Sequence, residues 1–482
     1  MENASWVVSF PYLLFSIAFP LIIYAIFFKN GRSNLPPGSN GWPIIGETIH
    51  FFISGPDKFI SDRMKKHSTQ VFRTSFVGQK VVVFCGPGGN KFVFNNTQNN
   101  VLSLWFPPTL AKIVRLEQDF MHRISASPGA SQLLNHTFHE ILKTDSLKLF
   151  ISIFNEITRD HVKNEWKDGR EVKVFPLSNL FCFSVACRFL MGISDTDEIK
   201  TLASSFDEVK SGFFSVPIDL PGTTFRRAIN AGKIVNERVS KIIQRRRKDL
   251  QESENEPGLD LLSQVLKIAP GDTNEESQYN SDLRSIIVGI LLASTSSPAS
   301  AITFTLKYLT EMPHIHNQVY QEQMEITKSK GEEDYLTWDD LKKMEYTWNV
   351  VREVLRVMTP FILGGFREVK SDLTYAGFTI PKGWKVLWTT QTSHKDPKYF
   401  ENPEEFNPSR FKSSIHEPYS YVPFGGGRGI CPGRDFFKLY MLIFIHNIVT
   451  KFKLEKLDPN EGIKYQMTPF PVNGFPVRLV HR

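Results

Sequence analysis

From Trp6 to Phe28 the chain runs through 23 positions without a charge, enough at 1.5 Å per residue to cross a hydrocarbon layer of about 30 Å. The pattern predicts one transmembrane helix, in which Pro11 and Pro20 are tolerated. Glu2 precedes it, Lys29 and Arg32 follow it, and no small-residue cleavage site is present. These signs favour an anchor over a signal peptide and place the rest of the chain on the cytosolic side. The expected layout is a lumenal stretch 1–5, an anchor 6–28, a proline-rich hinge 29–40 around Leu35-Pro36-Pro37-Gly38, and one large cytosolic domain over 41–482. Within that domain, amphipathic helical stretches alternate with short β-like runs such as Lys80–Phe84 and Leu373–Gly377. Helix dominates, so the fold class reads as mainly α with small β-sheets (α+β). Gln251–Gly258 and Pro270–Ser281 are polar and turn-rich and read as surface loops. Leu283–Leu309 is an apolar run of about 27 residues, predicted to be one helix capped by Asn280 or Ser281 that crosses the core. A second amphipathic helix is expected from about Arg434 to Thr450.

Composition narrows the function classes. With 482 residues, 41% hydrophobic and 22% charged, the chain is too apolar for disorder. A net charge of +7 over that length argues against a nucleic-acid binder. The basic run Arg245-Arg246-Arg247-Lys248 reads as a solvated helix end. Four cysteines, Cys85, Cys182, Cys187 and Cys431, are too few for a disulfide framework and lack zinc-ligand spacing, which points to a reducing compartment. Forty phenylalanines supply bulky surface without a polar handle, as expected of a chain that encloses something greasy.

The most informative stretch is Pro423-Phe424-Gly425-Gly426-Gly427-Arg428-Gly429-Ile430-Cys431-Pro432-Gly433. Five glycines within ten residues let backbone approach a flat partner closely and aim N–H groups at one sulfur, while the following helix N-terminus favours a thiolate. That is what an axial haem-iron ligand needs, and a thiolate ligand favours O–O cleavage.

This loop resembles the haem-binding loop of the cytochrome P450 superfamily. Glu353-Val354-Leu355-Arg356 resembles its Glu-x-x-Arg helix motif, and Phe406–Phe411 its following region, so that Glu353, Arg356 and Arg410 would form a buried charge cluster. The resemblance runs from Leu35-Pro36-Pro37-Gly38 through Gly41–Glu47 to the C-terminal strands, and Ser215–Thr223 and Tyr375–Trp384 are similar to the plant branch of triterpenoid oxidases and taxane hydroxylases. The resemblance implies haem b held by Cys431 as metal ligand, with Phe424, Gly425 and Gly433 around it, Arg367 and Arg428 as partners of the haem propionates, and Arg123 as the remaining candidate of the basic helix that contacts haem and reductase. It also implies electrons from NADPH through a membrane reductase, a cyclic terpenoid substrate, and residence in the endoplasmic reticulum membrane as a single-pass monomer in contact with lipid. Candidate pocket walls are Phe213, Phe214, Leu292, Ala293, Phe361, Ile362 and Leu363.

Three departures bear on catalysis. Where the family carries an acid–alcohol pair in its core helix, this chain has Ala293-Ser294-Thr295-Ser296-Ser297-Pro298. Ser297 keeps the hydroxyl, Ser296 replaces the acid, and Thr295 adjoins them. An aspartate at 296 is therefore expected to raise coupling. Pro298 should open the helix at Ser294. Gly429 stands where the usual arginine is expected, and Asp119–Ala126 is less basic than in relatives. The leading expectation is a monooxygenase. The alternatives are a reductase-independent haem enzyme that rearranges an oxygenated substrate and a haem-binding scaffold without turnover.

Overall fold

The computed structural model describes residues 34–67, 70–96, 101–116, 137–138, 140–213, 215–252, 258–268, 276–331, 334–360, 363–412, 417–466 and 468–482, apart from the side chains of 276–278 and 428. The stretches 1–5 and 6–28, Arg123, Phe214, Phe361, Ile362 and the side chain of Arg428 lie outside the described residues. Eight helices carry the main core: α1 (Ile151–Glu165), α2 (Val174–Met191), α3 (Thr196–Gly212), α4 (Thr224–Glu252), α5 (Glu276–Ala293), α6 (Ser296–Glu311), α7 (Glu345–Val357) and α8 (Arg434–Lys451). All eight contribute to one continuous hydrophobic cluster.

Helix α8 differs from its expected amphipathic character. From Phe436 to Val449 every residue except Lys438 and His446 is buried. A helix apolar on nearly all sides is a central strut rather than a surface element. Among the described residues, α2 and the stretch Tyr279–Glu311 are long and apolar enough to cross a membrane. Both supply many of the core's buried side chains, so apolarity here reports burial in protein.

The predicted single helix over Leu283–Leu309 is two. It starts earlier, at Glu276, so Asn280 and Ser281 lie inside the first helix and do not cap it. It opens at Ser294 and Thr295 before α6 begins. Pro298 has no N–H to give the Ser294 carbonyl, which explains the break. Hydroxyls patch the loosened turn. Ser294 Oγ donates to Ile290 O at 2.7 Å, Thr295 Oγ1 to Leu292 O at 3.3 Å and Ser297 Oγ to Ala293 O at 3.2 Å.

A five-stranded sheet stands beside the helices, built from β1 (Val71–Phe76), β2 (Gln79–Phe84), β3 (Leu102–Leu104), β4 (Leu363–Val369) and β5 (Lys385–Thr389), in the order β1-β2-β5-β4-β3. Only β2 and β5 run parallel, with Val81 opposite Lys385. Between Gly364 and Arg367 the β4–β5 register slips, a bulge that re-aims the strand. Leu373–Tyr375 pairs with Phe378–Ile380 across Ala376 and Gly377, both at positive φ, as a two-residue hairpin requires.

The expected hinge is partly built into the body. Arg73 N donates to Pro37 O at 2.8 Å and Thr379 N to Asn34 O at 2.7 Å. Gly38 sits at φ +142°, where a Cβ would lie 2.1 Å from Arg73 O. The basic run is likewise occupied: Arg245 pairs with Glu198, and Arg246 with Asp260 at 2.8 Å.

Candidate active site

Left-handed glycines shape the loop before α8. Gly425 and Gly427 take φ of +73° and +64°, a conformation that costs other residues about 1 kcal/mol or more. At Gly426 a Cβ would meet the Phe94 ring at 2.7 Å. The loop closes on itself through Cys431 N, which donates to Phe424 O at 2.8 Å, and Gly425 N, which donates to Val422 O at 3.0 Å. Phe424 packs on Phe437 of α8 with centroids 5.9 Å apart.

Cys431 opens onto a cavity of about 610 Å³ while loop and helix enclose it from behind. That enclosure raises the thiol pKa, and the Gly433 N–H and the nearby Arg434 only partly oppose it. The expected thiolate bias from the helix N-terminus is thus overridden by desolvation in the protein alone. Coordination to a cation would deprotonate the sulfur outright.

Behind the loop, Glu353 and Arg356 are fully buried on α7. Arg356 grips Glu353 with two bonds of 2.8 and 2.9 Å. Glu353 Oε1 also accepts from Asn407 N at 2.9 Å and Arg410 Nε at 3.1 Å. Arg356 donates onward to His394 O at 2.8 Å and Glu405 O at 3.2 Å. Such bidentate, charge-assisted bonding is what makes a buried ion cluster tolerable.

The α5–α6 joint forms another wall of the cavity. Gly289, Ala293, Ser297 and Ala301 line it, as do Ile290, Ser294 and Pro298, two neighbouring rows at a spacing of four that define one helix face. The bulge of β4 supplies a further wall. There a Cβ on Gly364 or Gly365 would strike the Trp388 indole at 2.6 or 2.5 Å, so the glycines let the ring lie against the strand. Arg367 also lines the cavity. Its guanidinium donates only to Gly365 O and Phe366 O, both at 3.3 Å, with no carboxylate partner among the described residues. Burial lowers its pKa.

A sulfur on a glycine cradle, an apolar space and a cation without a counter-ion are a donor set that suits haem with its propionates. The Cytochrome P450 family model matches residues 36–473. The chain belongs to the cytochrome P450 family. It is 47% identical over 97% of its length to the Beta-amyrin 6-beta-monooxygenase of Solanum lycopersicum, covering 99% of that protein. It is 42% identical to the Protopanaxadiol 6-hydroxylase of Panax ginseng, with 97% of each covered. Among solved structures it resembles the retinoic acid bound cyanobacterial CYP120A1 with a TM-score of 0.78 and 27% identity, over 93% of this chain and 100% of that one. This cytochrome P450 is an oxidoreductase of the monooxygenase class, and its family implies a haem iron cofactor.

Within this P450 the cavity gathers Cys431, Phe424, Gly425, Gly433, Arg367, Ser297, Ala293 and Leu363 from the residues singled out in the sequence. It does not gather Ser296, Thr295, Leu292 or Phe213. Thr295 is buried at 2% exposure and, like Ser296, falls off the face that repeats every four residues. Leu292 packs into the core instead, and Phe213 ends α3. Gly429 borders the cavity with nothing within 4 Å of a Cβ placed there. Sequence reading missed Ser294, four residues from both Ile290 and Pro298. It also missed Phe436 and Tyr440, which reach the cavity from α8 at a spacing of four.

Proposed function

We propose that this P450 hydroxylates a ring carbon of a cyclic terpenoid, a triterpenoid of the β-amyrin type, with haem b held by Cys431. Electrons would come from NADPH through a reductase at the endoplasmic reticulum membrane, where residues 6–28 anchor the chain and the catalytic domain faces the cytosol. The observation that carries this reading is the single cysteine facing a large apolar cavity in a chain 47% identical to a β-amyrin 6β-monooxygenase. Bound haem supplies oxygen activation through its thiolate ligand.

The chain's own residues do the rest. Phe94, Phe106, Phe366 and Trp388 line the cavity and exclude water from a rigid polycycle. Arg367 offers a charge-assisted donor to a carboxylate at the cavity edge. No carboxylate side chain lies among the lining residues described, so protons must pass through hydroxyls and ordered water. Ser294 and Ser297 donate their own hydrogens to helix carbonyls and thereby offer lone pairs that hold such water in place.

Co-expression with a plant reductase in a host that makes β-amyrin tests the proposal. A hydroxylated triterpene that depends on the reductase is expected. Turnover of an oxygenated substrate without reductase, or no product from any triterpene or diterpene scaffold, would overturn it.

A further inference from the structure

His394 is fully buried at the end of the short helix Gln391–His394. Its ring bridges two elements, the end of α7 and the segment that leads into the cysteine loop. Nε2 lies 2.9 Å from Val422 N. A backbone N–H only donates, so Nε2 is the acceptor and the ring proton sits on Nδ1. Nδ1 lies 3.0 Å from Thr359 Oγ1, and the Thr359 hydroxyl in turn donates to Leu355 O and Arg356 O at the end of α7. The main-chain carbonyl of the same histidine accepts from Arg356. Its ring stacks on Tyr421, centroids 5.3 Å apart, and the Tyr421 hydroxyl donates to Arg352 O at 2.9 Å.

Val422 begins the cysteine loop. Its carbonyl receives Gly425 N, and Phe424 O receives Cys431 N. A continuous line of hydrogen bonds therefore runs from the Glu353–Arg356 cluster through Thr359 and His394 to the backbone that aims the Cys431 sulfur. We infer that His394 is a positioning residue for the cysteine loop, a latch in its Nδ1–H tautomer that fixes the loop's entry segment against α7. Imidazole suits this place because one flat group accepts at one end and donates at the other, across the width of the ring. Burial beside Arg356 keeps the ring neutral, with its pKa lowered to about 3.

The two amides split the two contacts. In His394→Gln the side-chain oxygen reaches the place of Nε2 and can still accept from Val422. In His394→Asn the amide reaches only the place of Nδ1 and Thr359. Hydrogen exchange of the peptide Tyr421–Gly425, measured by mass spectrometry in the full chain with and without haem, reads the latch directly. In His394→Asn this peptide should exchange about 10- to 100-fold faster, as for loss of a buried hydrogen bond, while α7 stays protected. His394→Gln should restore most of the protection. In the reduced, carbon-monoxide-bound protein the Asn variant should convert to the thiol-ligated form, and the Gln variant should not.

An Asn variant that exchanges no faster than the Gln variant would overturn the inference. If neither variant accumulates folded, Thr359→Val decides: the same peptide must exchange faster with α7 unchanged, and no change rejects the latch. Only the spectral readout rests on Cys431 as haem ligand. If Cys431→Ser kept the thiolate band, that reading would fail while the exchange result stood.

Discussion

The charge cluster buried behind the Cys431 loop and the opened joint between α5 and α6, which lines the cavity, are held by opposite means. In the cluster, Glu353 accepts four bonds from Arg356, Arg410 and Asn407, and each charge-assisted bond contributes about 1.5–3 kcal/mol. At the joint, hydroxyls share carbonyls that a helix would otherwise use, worth about 0.5–1.5 kcal/mol each. The first region is over-determined, so losing one group leaves a buried charge stranded. The second is held by small groups that can be exchanged one at a time. A chain can therefore keep its buried charge cluster intact while the helix lining the cavity is opened at Ser294 and Thr295.

Substitutions on the two sides should separate cleanly. The largest effect is expected from Cys431→Ser, which should abolish the thiolate spectrum of the reduced, carbon-monoxide-bound protein and all turnover. Next comes Glu353→Gln, which leaves Arg356 buried without its carboxylate. It should cost about 3–5 kcal/mol of stability, read as a lower denaturation midpoint with loss of haem, while Ser297→Ala at the joint should cost under about 1 kcal/mol. Similar losses in both variants would erase the contrast.

Acid should attack the cluster side first. His394 is held neutral by burial and by Arg356, with a pKa of about 3 against the usual 6.5. Protons therefore bind the unfolded chain more readily below pH 6.5, so this stability is complete above that pH and is lost as pH falls from 6.5 toward 3. Thermal melts from pH 7 to pH 4 should show a falling midpoint and early haem release, with a shallower slope in His394→Gln. Arg367→Met should weaken haem retention by a smaller margin, seen as faster transfer of haem to an acceptor protein. The smallest effects belong to the joint. Ser294→Asp, on the cavity face, should raise product formed per NADPH consumed, while Ser296→Asp, off that face, should leave the ratio unchanged. The reverse order would mean that the face of α5–α6 turned to the substrate has been misassigned.

What the sequence revealed follows the same division. The glycine spacing around Cys431 and the Glu353–Arg356 pair are local patterns, Arg410 was placed by the family resemblance, and the structure brings each set together. Pro298 also announces its break, because a missing N–H is written in the residue itself. The facing of Ser294 rather than Ser296 was not legible, since the face that a broken helix presents depends on how its two halves pack. His394 carried no local signal either: its partners are Thr359 and Val422, 35 and 28 residues away. The all-round burial of α8 was readable, because Phe436 to Val449 holds few polar residues, although an amphipathic helix was expected there.

The bonds from Asn34 to Thr379 and from Pro37 to Arg73 set the length of a leash. With the proposed span ending at Phe28, only residues 29–33 separate it from backbone already fastened to the sheet and hairpin. At no more than about 3.6 Å per residue, that slack is under about 20 Å. The catalytic body would then ride close to the bilayer, and a greasy substrate leaving the lipid would have little water to cross.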